Sequence, residues 1–268
     1  MKIVSFNVNG LRSRLHQLAQ VIDNHSPDII GLQETKVSDE DFPVGSLNEM
    51  GYQVCFHGQK THYGVALLSK TPPLSIQRGF PTDHPDSQRR MIIGDYDING
   101  QSLRVVNGYF PQGENRSHEI KFSGKEKFYN DLQDYLRAKC QPSSNVLVIG
   151  DFNISHTDKD IGIGPDNAKR WLRTGKCSFL PEEREWFDRL LGWGLTDCFR
   201  KLYPDESQRF SWFDYRSRGF ESEPKRGLRI DGFLATASLM KECQSVIIDY
   251  DIRAMEKPSD HAPVIAEF

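Results

Sequence analysis

Cysteine is scarce in this sequence, and its few copies have no spacing that indicates a structural role. Five cysteines are spread over 268 residues, an odd number without a Cys-x-x-Cys pair. Such a set argues against both a disulfide framework and a zinc site, so we expect reduced thiols. The five are Cys55, Cys140, Cys177, Cys198 and Cys243.

Long apolar runs are also missing. No stretch approaches the ~20 residues that a membrane helix needs. The apolar run after Lys2 is interrupted at once by Ser5, Asn7 and Asn9, so the N-terminus has no signal-peptide core. We therefore expect no membrane association and a cytoplasmic location.

An excess of positive charge is absent as well. Lys and Arg number 34 against 37 Asp and Glu, which gives a net charge of -3 and a pI of about 6.3. A protein with this charge does not coat nucleic acid indiscriminately, so any polyanion must bind at a local patch. Because no Pro/Gly/Ser-rich linker divides the chain and strand-like runs extend from Ile3 to Ile265, we expect one domain over residues 1–268 and a monomer.

Four separated apolar, β-branched runs each carry an amide, a carboxylate or an imidazole at one end. Runs of this kind, bounded by polar residues or Gly, predict buried strands whose polar ends meet at one rim of a sheet. A rim rich in acids, amides and one histidine is an oxygen-rich place for a hard divalent cation. The polar ends are Asn7, Gln33-Glu34, Asp151-Phe152-Asn153 and Ser259-Asp260-His261.

Helical periodicity occurs between these runs. Apolar residues recur at helical spacing from Leu11 to Ile22 and from Phe128 to Leu136, the second after a capping-box pattern at Ser123–Glu126. A third helix is predicted after Pro181 and ends near Gly192. Many strands with few helical crossovers indicate an α/β fold, with a mixed sheet or two packed sheets covered by helices. The further predicted strands are Tyr63–Leu68, Met91–Tyr96, Leu103–Tyr109, Arg209–Phe213, Leu228–Leu234 and Val246–Tyr250.

The most specific local pattern is Gly150-Asp151-Phe152-Asn153, which follows four aliphatic residues. A glycine there lets the backbone approach a ligand closely, and an Asp and an Asn two apart in extended chain face the same side. Asp231 lies within another apolar strand, where a buried carboxylate needs a partner, and His261 is the candidate. Taken alone, such residues are more often turn formers or surface groups, and Tyr109 more often belongs to the core. The prediction depends on their joint occurrence.

This set of residues fits the hydrolysis of a phosphodiester. The reaction needs a metal to neutralise developing charge, Asn or His donors on the phosphoryl oxygens, and a carboxylate or imidazole that deprotonates water. Competing chemistries lack their motifs, since the sequence has no Gly-x-Ser-x-Gly elbow, no Walker loop and no His-Glu-x-x-His.

Six motifs occur in order over the whole chain. They are Phe6-Asn7, Leu32–Lys36, Asn107–Pro111, Gly150–Asn153, Leu228–Asp231 and Ser259–Val264. In sequence and spacing they resemble the motifs of the exonuclease III type of abasic-site endonuclease, within the wider endonuclease/exonuclease/phosphatase fold. The stretch Arg170–Pro181 is similar to the bacterial members in particular. The resemblance implies a DNase I-like, four-layered α/β sandwich of two packed mixed β-sheets flanked by helices.

The resemblance also implies a divalent cation, Mg²⁺ with Mn²⁺ as a substitute. Glu34 would hold it. Asn9 stands where some eukaryotic relatives carry an acid, which leaves open whether a second metal binds. The further ligands or neighbours of the metal would be Asn7, Asp151, Asn153 and Asp260.

Catalytic roles follow from the same resemblance. Tyr109 and Asn153 would support the phosphate and the transition state, and Asp151 would transfer protons. Asp231 would orient His261, which would contact the phosphate. Whether Asp151 or His261 activates the water stays open at this point.

Basic and aromatic residues alternate in Lys169–Lys176 and in Arg209–Arg218. Such stretches are more often solvated faces, but the resemblance assigns them to duplex DNA. Phosphate contacts would position the DNA without reading its sequence, and Trp212 and Phe213 would line an apolar pocket for a base-free sugar or terminal nucleotide. The predicted DNA contacts are Arg90, Gln112, Arg170, Lys176, Trp212, Phe213 and His261.

The implied substrate is double-stranded DNA with abasic sites, nicks or 3′ ends, processed in base excision repair. The implied activities are those of a 3′-to-5′ exodeoxyribonuclease, an abasic-site endonuclease, a 3′-phosphatase or phosphodiesterase and an RNA-hybrid nuclease. One alternative keeps the fold and changes the substrate, to inositol phosphates, lipid phosphates or DNA without specificity. The other is a binding module without catalysis, against which the complete set of expected polar residues argues.

Overall fold

The chain forms twelve β-strands, numbered here in chain order. The computed structural model describes residues 1–268. The strands are β1 (Lys2–Asn7), β2 (Ile29–Gln33), β3 (Gln53–His57), β4 (Val65–Ser69), β5 (Ser75–Arg78), β6 (Met91–Ile98), β7 (Gln101–Tyr109), β8 (Val146–Asp151), β9 (Leu195–Asp197), β10 (Asp231–Thr236), β11 (Ser245–Ile248) and β12 (Val264–Glu267).

These strands form two six-stranded sheets. The first sheet has the order β11-β12-β1-β2-β4-β3, and the second has the order β5-β6-β7-β8-β10-β9. Both are mixed, because β1 and β2 run parallel as do β7 and β8, whereas β12 and β10 pair antiparallel with their neighbours. Both parallel pairs are central in their sheets, and β2 and β8 are buried along their whole length, as expected for near-continuous apolar runs.

Eight α-helices accompany the sheets. None of them combines the length and the apolar character that a membrane crossing needs. The helices are α1 (Leu15–His25), α2 (Val44–Glu49), α3 (Glu119–Lys139), α4 (Pro165–Thr174), α5 (Pro181–Trp193), α6 (Cys198–Leu202), α7 (Ala237–Glu242) and α8 (Tyr250–Arg253).

Three apolar cores separate four layers. The central core lies between the two sheets and includes Ile3 and Ile149. A second core joins the outer face of the second sheet to α3 and α5, and a third joins the outer face of the first sheet to α1, α2 and α8. This arrangement confirms the predicted α/β sandwich of two mixed sheets flanked by helices.

The local predictions were less accurate than the fold class. The helix expected after Pro181 is confirmed, although it continues to Trp193. The capping box predicted at Ser123–Glu126 is wrong, because α3 begins at Glu119 with the His118 side chain accepting from a backbone N–H. The strand predicted at Arg209–Phe213 is also wrong, since only isolated bridges form there.

A buried polar contact fixes the two sheets relative to each other below the strand ends. Asn107 of the second sheet donates to the carbonyl oxygens of Leu32 and Ala66 in the first sheet, at 3.1 and 2.9 Å, and accepts from Gln33 Nε2 at 2.7 Å. A side chain at Gly31 would lie 2.9 Å from the Asn107 amide oxygen, so glycine leaves the room for this contact. The Asn107–Gln33 contact thus fixes the ends of β2 and β7 relative to each other.

Gly150 allows β8 to lie close to the neighbouring strand β7. Its φ is 144°, and a Cβ would lie 1.9 Å from the carbonyl oxygen of Gly108 on β7. The sequence had predicted that this glycine admits a ligand to the backbone. The structure corrects this, because the close neighbour is the adjacent strand.

Candidate active site

A cleft of about 500 Å³ opens where β1, β2, β7 and β8 end and β10 begins. Parallel strands place their C-terminal ends at one edge, and the antiparallel β10 starts at that edge, so residues far apart in sequence become neighbours. The predicted site residues that line the cleft are Glu34, Tyr109, Gln112, Asp151, Asn153, Arg170, Lys176, Trp212, Asp260 and His261.

Asp151 is buried at the end of β8 and is held by neutral donors. Its Oδ2 accepts from Asn7 Nδ2 at 3.0 Å and from Asn153 Nδ2 at 3.1 Å, and its Oδ1 accepts from the Asn153 backbone N–H at 2.9 Å. Burial, followed by repulsion from the carboxylate of Asp231, raises the pKa of Asp151 to about 8. This carboxyl group therefore exchanges a proton near neutral pH.

Asp231 and His261 form a buried pair beside Asp151. Asp231 lies opposite Asp151 in the β8–β10 register, and its Oδ2 is 2.8 Å from His261 Nδ1. The other ring nitrogen, Nε2, is 3.8 Å from Asp151 Oδ2. Burial alone would lower the pKa of His261, but Asp231 and then Asp151 outweigh it and raise the pKa to about 10. At neutral pH the ring is an imidazolium, which donates.

Glu34 is held in an uncommon backbone conformation just after β2. Its φ is 52°, which costs on the order of 1 kcal/mol for a residue of this type. The Gly10 backbone N–H donates to its carbonyl oxygen at 2.8 Å, and Asn7 Nδ2 donates to its Oε1 at 3.0 Å. Burial would raise the pKa of Glu34, but the Lys36 ammonium, 2.9 Å from Oε2, and Asn7 lower it, so the carboxylate stays charged.

The donor set of the cleft suits a divalent cation. One ligand atom each of Glu34, Asp151 and His261 lies within 4.8 Å of the others. Two carboxylates of this kind match a hard, oxygen-preferring ion, whereas His261 already holds Asp231 through Nδ1. Asn7 contacts both carboxylates through its amide nitrogen, which makes it a donor to the ligands in this arrangement.

Asp260, which directly precedes His261, is held by two side-chain donors. Its Oδ1 accepts from Asn9 Nδ2 at 2.8 Å, and its Oδ2 accepts from Trp212 Nε1 at 3.0 Å. It lines the cleft but does not belong to the three-residue cluster that could hold a cation. Its carboxylate thereby fixes the indole of Trp212 in the wall of the cleft.

Comparison with known proteins agrees with this geometry. The model of the endonuclease/exonuclease/phosphatase family matches residues 4–261. The chain belongs to this family. It is 59% identical, over all 268 residues of both chains, to exodeoxyribonuclease III of Haemophilus influenzae, which assigns it to the exonuclease III branch.

Solved structures of the family have the same fold. A 3′-phosphatase from Neisseria bound to a product DNA hairpin is 37% identical, with a TM-score of 0.89, and covers 100% of this chain and 99% of its own. An AP endonuclease from Archaeoglobus fulgidus is 34% identical, with a TM-score of 0.90 and the same coverage. The four-layered DNase I-like sandwich is therefore the fold of this family member too.

Two predicted DNA contacts, Phe213 and Arg90, do not line the cleft. Phe213 is 0% exposed and packs with Phe210 and Phe220, so its predicted place in the pocket wall is wrong. Arg90 is 8% exposed, and its guanidinium stacks on the Tyr109 ring at 4.6 Å. The structure thus places Arg90 beneath Tyr109 and away from the cleft surface.

Tyr109 is fixed from this buried side. Arg90 Nη1 donates to its carbonyl oxygen at 3.0 Å, and the same guanidinium also lies 4.2 Å from the centre of the Tyr63 ring. Burial, followed by the charge of Glu34, raises the pKa of the Tyr109 hydroxyl well above its usual value. The hydroxyl stays protonated and is available as a donor at the cleft.

The remaining cleft wall is basic and aromatic. The Lys176 ammonium lies 4.0 Å from the centre of the Trp171 ring, on the side of the cleft formed by α4. Arg216, which lies within the basic stretch Arg209–Arg218, also lines the cleft, although the sequence predicted no role for it. Asn167 and Arg226 line the cleft as well and were not predicted. Only the alternation of cations and rings could have indicated Arg216, and nothing in the local sequence indicates the other two.

Proposed function

We propose that this chain hydrolyses phosphodiester bonds of duplex DNA in base excision repair. It is a DNA-repair nuclease of the exonuclease III and AP endonuclease type, with a 3′-phosphatase among its structural relatives. The observation that carries the proposal is the buried Asp231–His261 pair beside Asp151 and Glu34, in a cleft whose rim bears Arg170. The proposed activities are 3′-to-5′ exonuclease, abasic-site endonuclease, 3′-phosphatase and RNA-hybrid nuclease.

His261 binds the scissile phosphate in this proposal. Asp231 fixes the ring through Nδ1 and favours the imidazolium, which leaves Nε2–H as a charged donor on the cleft side. A donor of this kind, aimed at the oxygen where charge develops, stabilises the transition state by about 3 kcal/mol. A group with so high a pKa is a poor base at neutral pH.

Asp151 is therefore the group that accepts the proton of the attacking water. Its pKa of about 8 lies close to the working pH of a cytoplasmic enzyme, where a general base is most effective. Asn7 and Asn153 hold both of its oxygens, so the proton transfer takes place at a fixed position. Asn153 and the protonated hydroxyl of Tyr109 then support the phosphate.

The proposed cofactor is Mg²⁺, with Mn²⁺ as a substitute. Glu34 would hold the ion, with Asp151, Asn7, Asn153 and Asp260 as its neighbours. When bound, it supplies Lewis-acid stabilisation of negative charge on the phosphate. Oxygen ligands of this kind favour Mg²⁺ or Mn²⁺ over Zn²⁺.

The proposed partner is double-stranded DNA with abasic sites, nicks or 3′ ends. Trp212, held by Asp260, offers an apolar wall beside the reactive groups for a sugar that lacks its base. Lys176 and Gln112 lie on the rim, where they would meet phosphates. A monomer, a single domain over residues 1–268 and a cytoplasmic location remain predictions, the second supported by both sheets contributing to one cleft.

The test is cleavage of end-labelled duplexes by the purified full chain with Mg²⁺. We expect incision at a single abasic site, resection from nicks and blunt 3′ ends, removal of a 3′-phosphate, and degradation of the RNA strand of a hybrid. Inositol phosphates serve as the competing substrates. Release of phosphate from inositol phosphates with no cleavage of any duplex would overturn the proposal.

A further inference from the structure

An ion pair is completely buried behind the cleft, where it joins α3 to α5. Lys125 Nζ lies 2.6 Å from Glu183 Oε1, and both side chains are 0% exposed. Burying two charges is expensive, and an apolar pair of similar volume is often as stable or more stable. The packing of two helices alone does not require this pair, so its other contacts matter.

The Lys125 ammonium also reaches the two loops that form the cleft. Nζ donates to the carbonyl oxygen of Asn153 at 2.8 Å and to that of Gln112 at 3.3 Å. Asn153 follows β8 and Gln112 follows β7, so a single charged donor fastens the two strand exits together. Neither contact exposes Lys125 to the cleft, which its side chain does not line.

The surroundings hold the ammonium in place. A Cβ at Gly113 would lie 3.0 Å from Lys125 Cδ, so glycine leaves room for the lysine stem. Glu183 Oε2 accepts from the Leu180 backbone N–H at 2.8 Å, which fixes the carboxylate at the start of α5. Each partner is thus oriented by a second contact, and Nζ has its three donors satisfied.

The position of Asn153 is chemically sensitive. Its φ is 52°, and its side chain and backbone N–H both donate to Asp151. A shift of the Asn153 carbonyl would move these donors relative to the carboxylate. Misplacement by about 1 Å can lower a rate by about 100-fold even when its cause is far from the reacting atoms.

We propose that Lys125, held by Glu183, is a positioning residue for the reaction of the cleft. Its ammonium sets the distance between the exits of β7 and β8 and thereby the alignment of Asn153 with Asp151. This role rests on the proposed phosphodiester hydrolysis. It does not involve contact with DNA.

The test compares Lys125→Met with the double variant Lys125→Met/Glu183→Gln, assayed on an abasic duplex with Mg²⁺ below the unfolding temperature of each protein. The single change leaves an unpaired buried carboxylate and lowers the melting temperature. The double change removes both charges, keeps an acceptor for the Leu180 N–H and restores most of the stability. We expect kcat of the double variant to stay about 10- to 100-fold low with KM close to that of the unmodified chain.

A control removes a partly exposed ion pair between β6 and β7 of the second sheet, in Asp95→Asn/Arg104→Met. Arg104 Nε lies 2.7 Å from Asp95 Oδ1, and neither residue lines the cleft. We expect this variant to keep its kcat. If kcat of the Lys125/Glu183 double variant recovers together with its stability, the pair is only structural and the inference is overturned.

The milder variant Lys125→Gln applies the same criterion if the double variant does not fold. An amide replaces the ammonium and keeps two weaker N–H donors in place of three, so we expect a kcat between those of Lys125→Met and the unmodified chain. An unchanged kcat would overturn the inference. An unmodified chain that cleaves no abasic duplex would instead overturn the proposed function itself.

Discussion

Two buried clusters of charged side chains adjoin each other at the start of β10. Asp231, the first residue of β10, belongs to the cleft together with Asp151 and His261. Arg229, two residues earlier, belongs to a cluster away from the cleft, where it lies 2.7 Å from Asp160 and 2.7 Å from Asp197. Arg200 also contacts Asp160, so two cations face two anions in this second cluster.

The two clusters differ in charge balance, and the pKa values of their carboxyl groups shift in opposite directions. Burial would raise the pKa of Asp160, but Arg229 and Arg200 outweigh it and hold the pKa far below its usual value. In the cleft the pKa of Asp151 rises to about 8, because burial and Asp231 outweigh the attraction of His261. In a balanced buried cluster each charge is compensated and keeps its protonation state, whereas an unbalanced cluster leaves a group that still exchanges protons.

The largest expected effect concerns the unbalanced cluster in the cleft, and it is the loss of DNA cleavage when a chelator removes the divalent cation. EDTA should abolish cleavage of all duplex substrates, because two carboxylates this close to a phosphate need a cation to neutralise the charge that develops. End-labelled abasic and nicked duplexes give the readout. Added Mg²⁺ should restore the activity, and turnover that persists in EDTA would contradict the metal site.

Asp151→Asn should lower kcat by roughly 10²- to 10⁴-fold, because it removes the proposed general base while it keeps the shape of the side chain. The free energy of unfolding should change little, because the loss of a disfavoured buried charge is offset by an amide NH2 that replaces an acceptor for the surrounding N–H donors. Single-turnover cleavage and urea unfolding of the same preparation measure both. Turnover equal to that of the unmodified chain would exclude Asp151 as the base.

Asp160→Asn makes the same chemical change in the balanced cluster, and the result should be reversed. It leaves Arg229 and Arg200 with too little negative charge around them, which should destabilise the fold by about 3–5 kcal/mol. The protein that remains folded should keep its kcat, because Asp160 does not line the cleft. Urea unfolding and cleavage at low temperature separate the two effects, and a loss of kcat without a loss of stability would contradict the division into two clusters.

The pH dependence of stability distinguishes the clusters further. The pKa of Asp160 is lowered, so its contribution is complete above about pH 4 and is lost as the pH falls below the ordinary value of 3.8. The pKa of Asp151 is raised from 3.8 to about 8, so ionisation of the unfolded chain lowers stability as the pH rises through this range. The pKa of His261 is raised from 6.5 to about 10, so its contribution is complete below pH 6.5 and is lost between these values.

Urea unfolding in EDTA at several pH values from about 2 to about 9 measures these slopes, which approach about 1.4 kcal/mol per pH unit for each group. Asp151→Asn should reduce the decline in stability between pH 5 and 8, whereas Asp160→Asn should reduce the loss in acid. An identical pH profile for both variants would contradict the difference between the clusters.

The sequence predicted the fold well where apolar runs and periodicity report burial directly. The buried strands β2 and β8 and the helix after Pro181 are of this kind. The stretch from Arg209 to Phe213 was misread as a strand, because burial of Phe210 and Phe213 in one cluster mimics strand patterning without a partner strand. The helix α4 buries none of its residues completely, and its apolar side is limited to Ala168, Trp171 and Leu172, a pattern too short to predict a helix.

For the site, the sequence did not show in which direction the side chains of a loop point. Asn7, Glu34, Asp151 and His261 could be found because strand ends at a common rim converge whatever their side chains do. The alternation of charges and rings does not report which side of a loop faces the cleft, so Arg90 and Phe213 were assigned to its surface. The sequence alone indicates no role for Lys125 and Glu183, because only tertiary packing brings them together.

The smallest expected effect is on DNA affinity and concerns Lys176, one of several exposed cations on the rim of the cleft. Each phosphate contact releases counterions, so Lys176→Ala should reduce the slope of log Kd against log salt by about one. The measurement uses the Asp151→Asn background, which keeps the duplex uncleaved. Lys241→Ala, which removes an exposed charge on α7 outside the cleft, is the matched control. If both lysines change the slope equally, DNA binds over a broad part of the surface and the cleft is not its specific binding site.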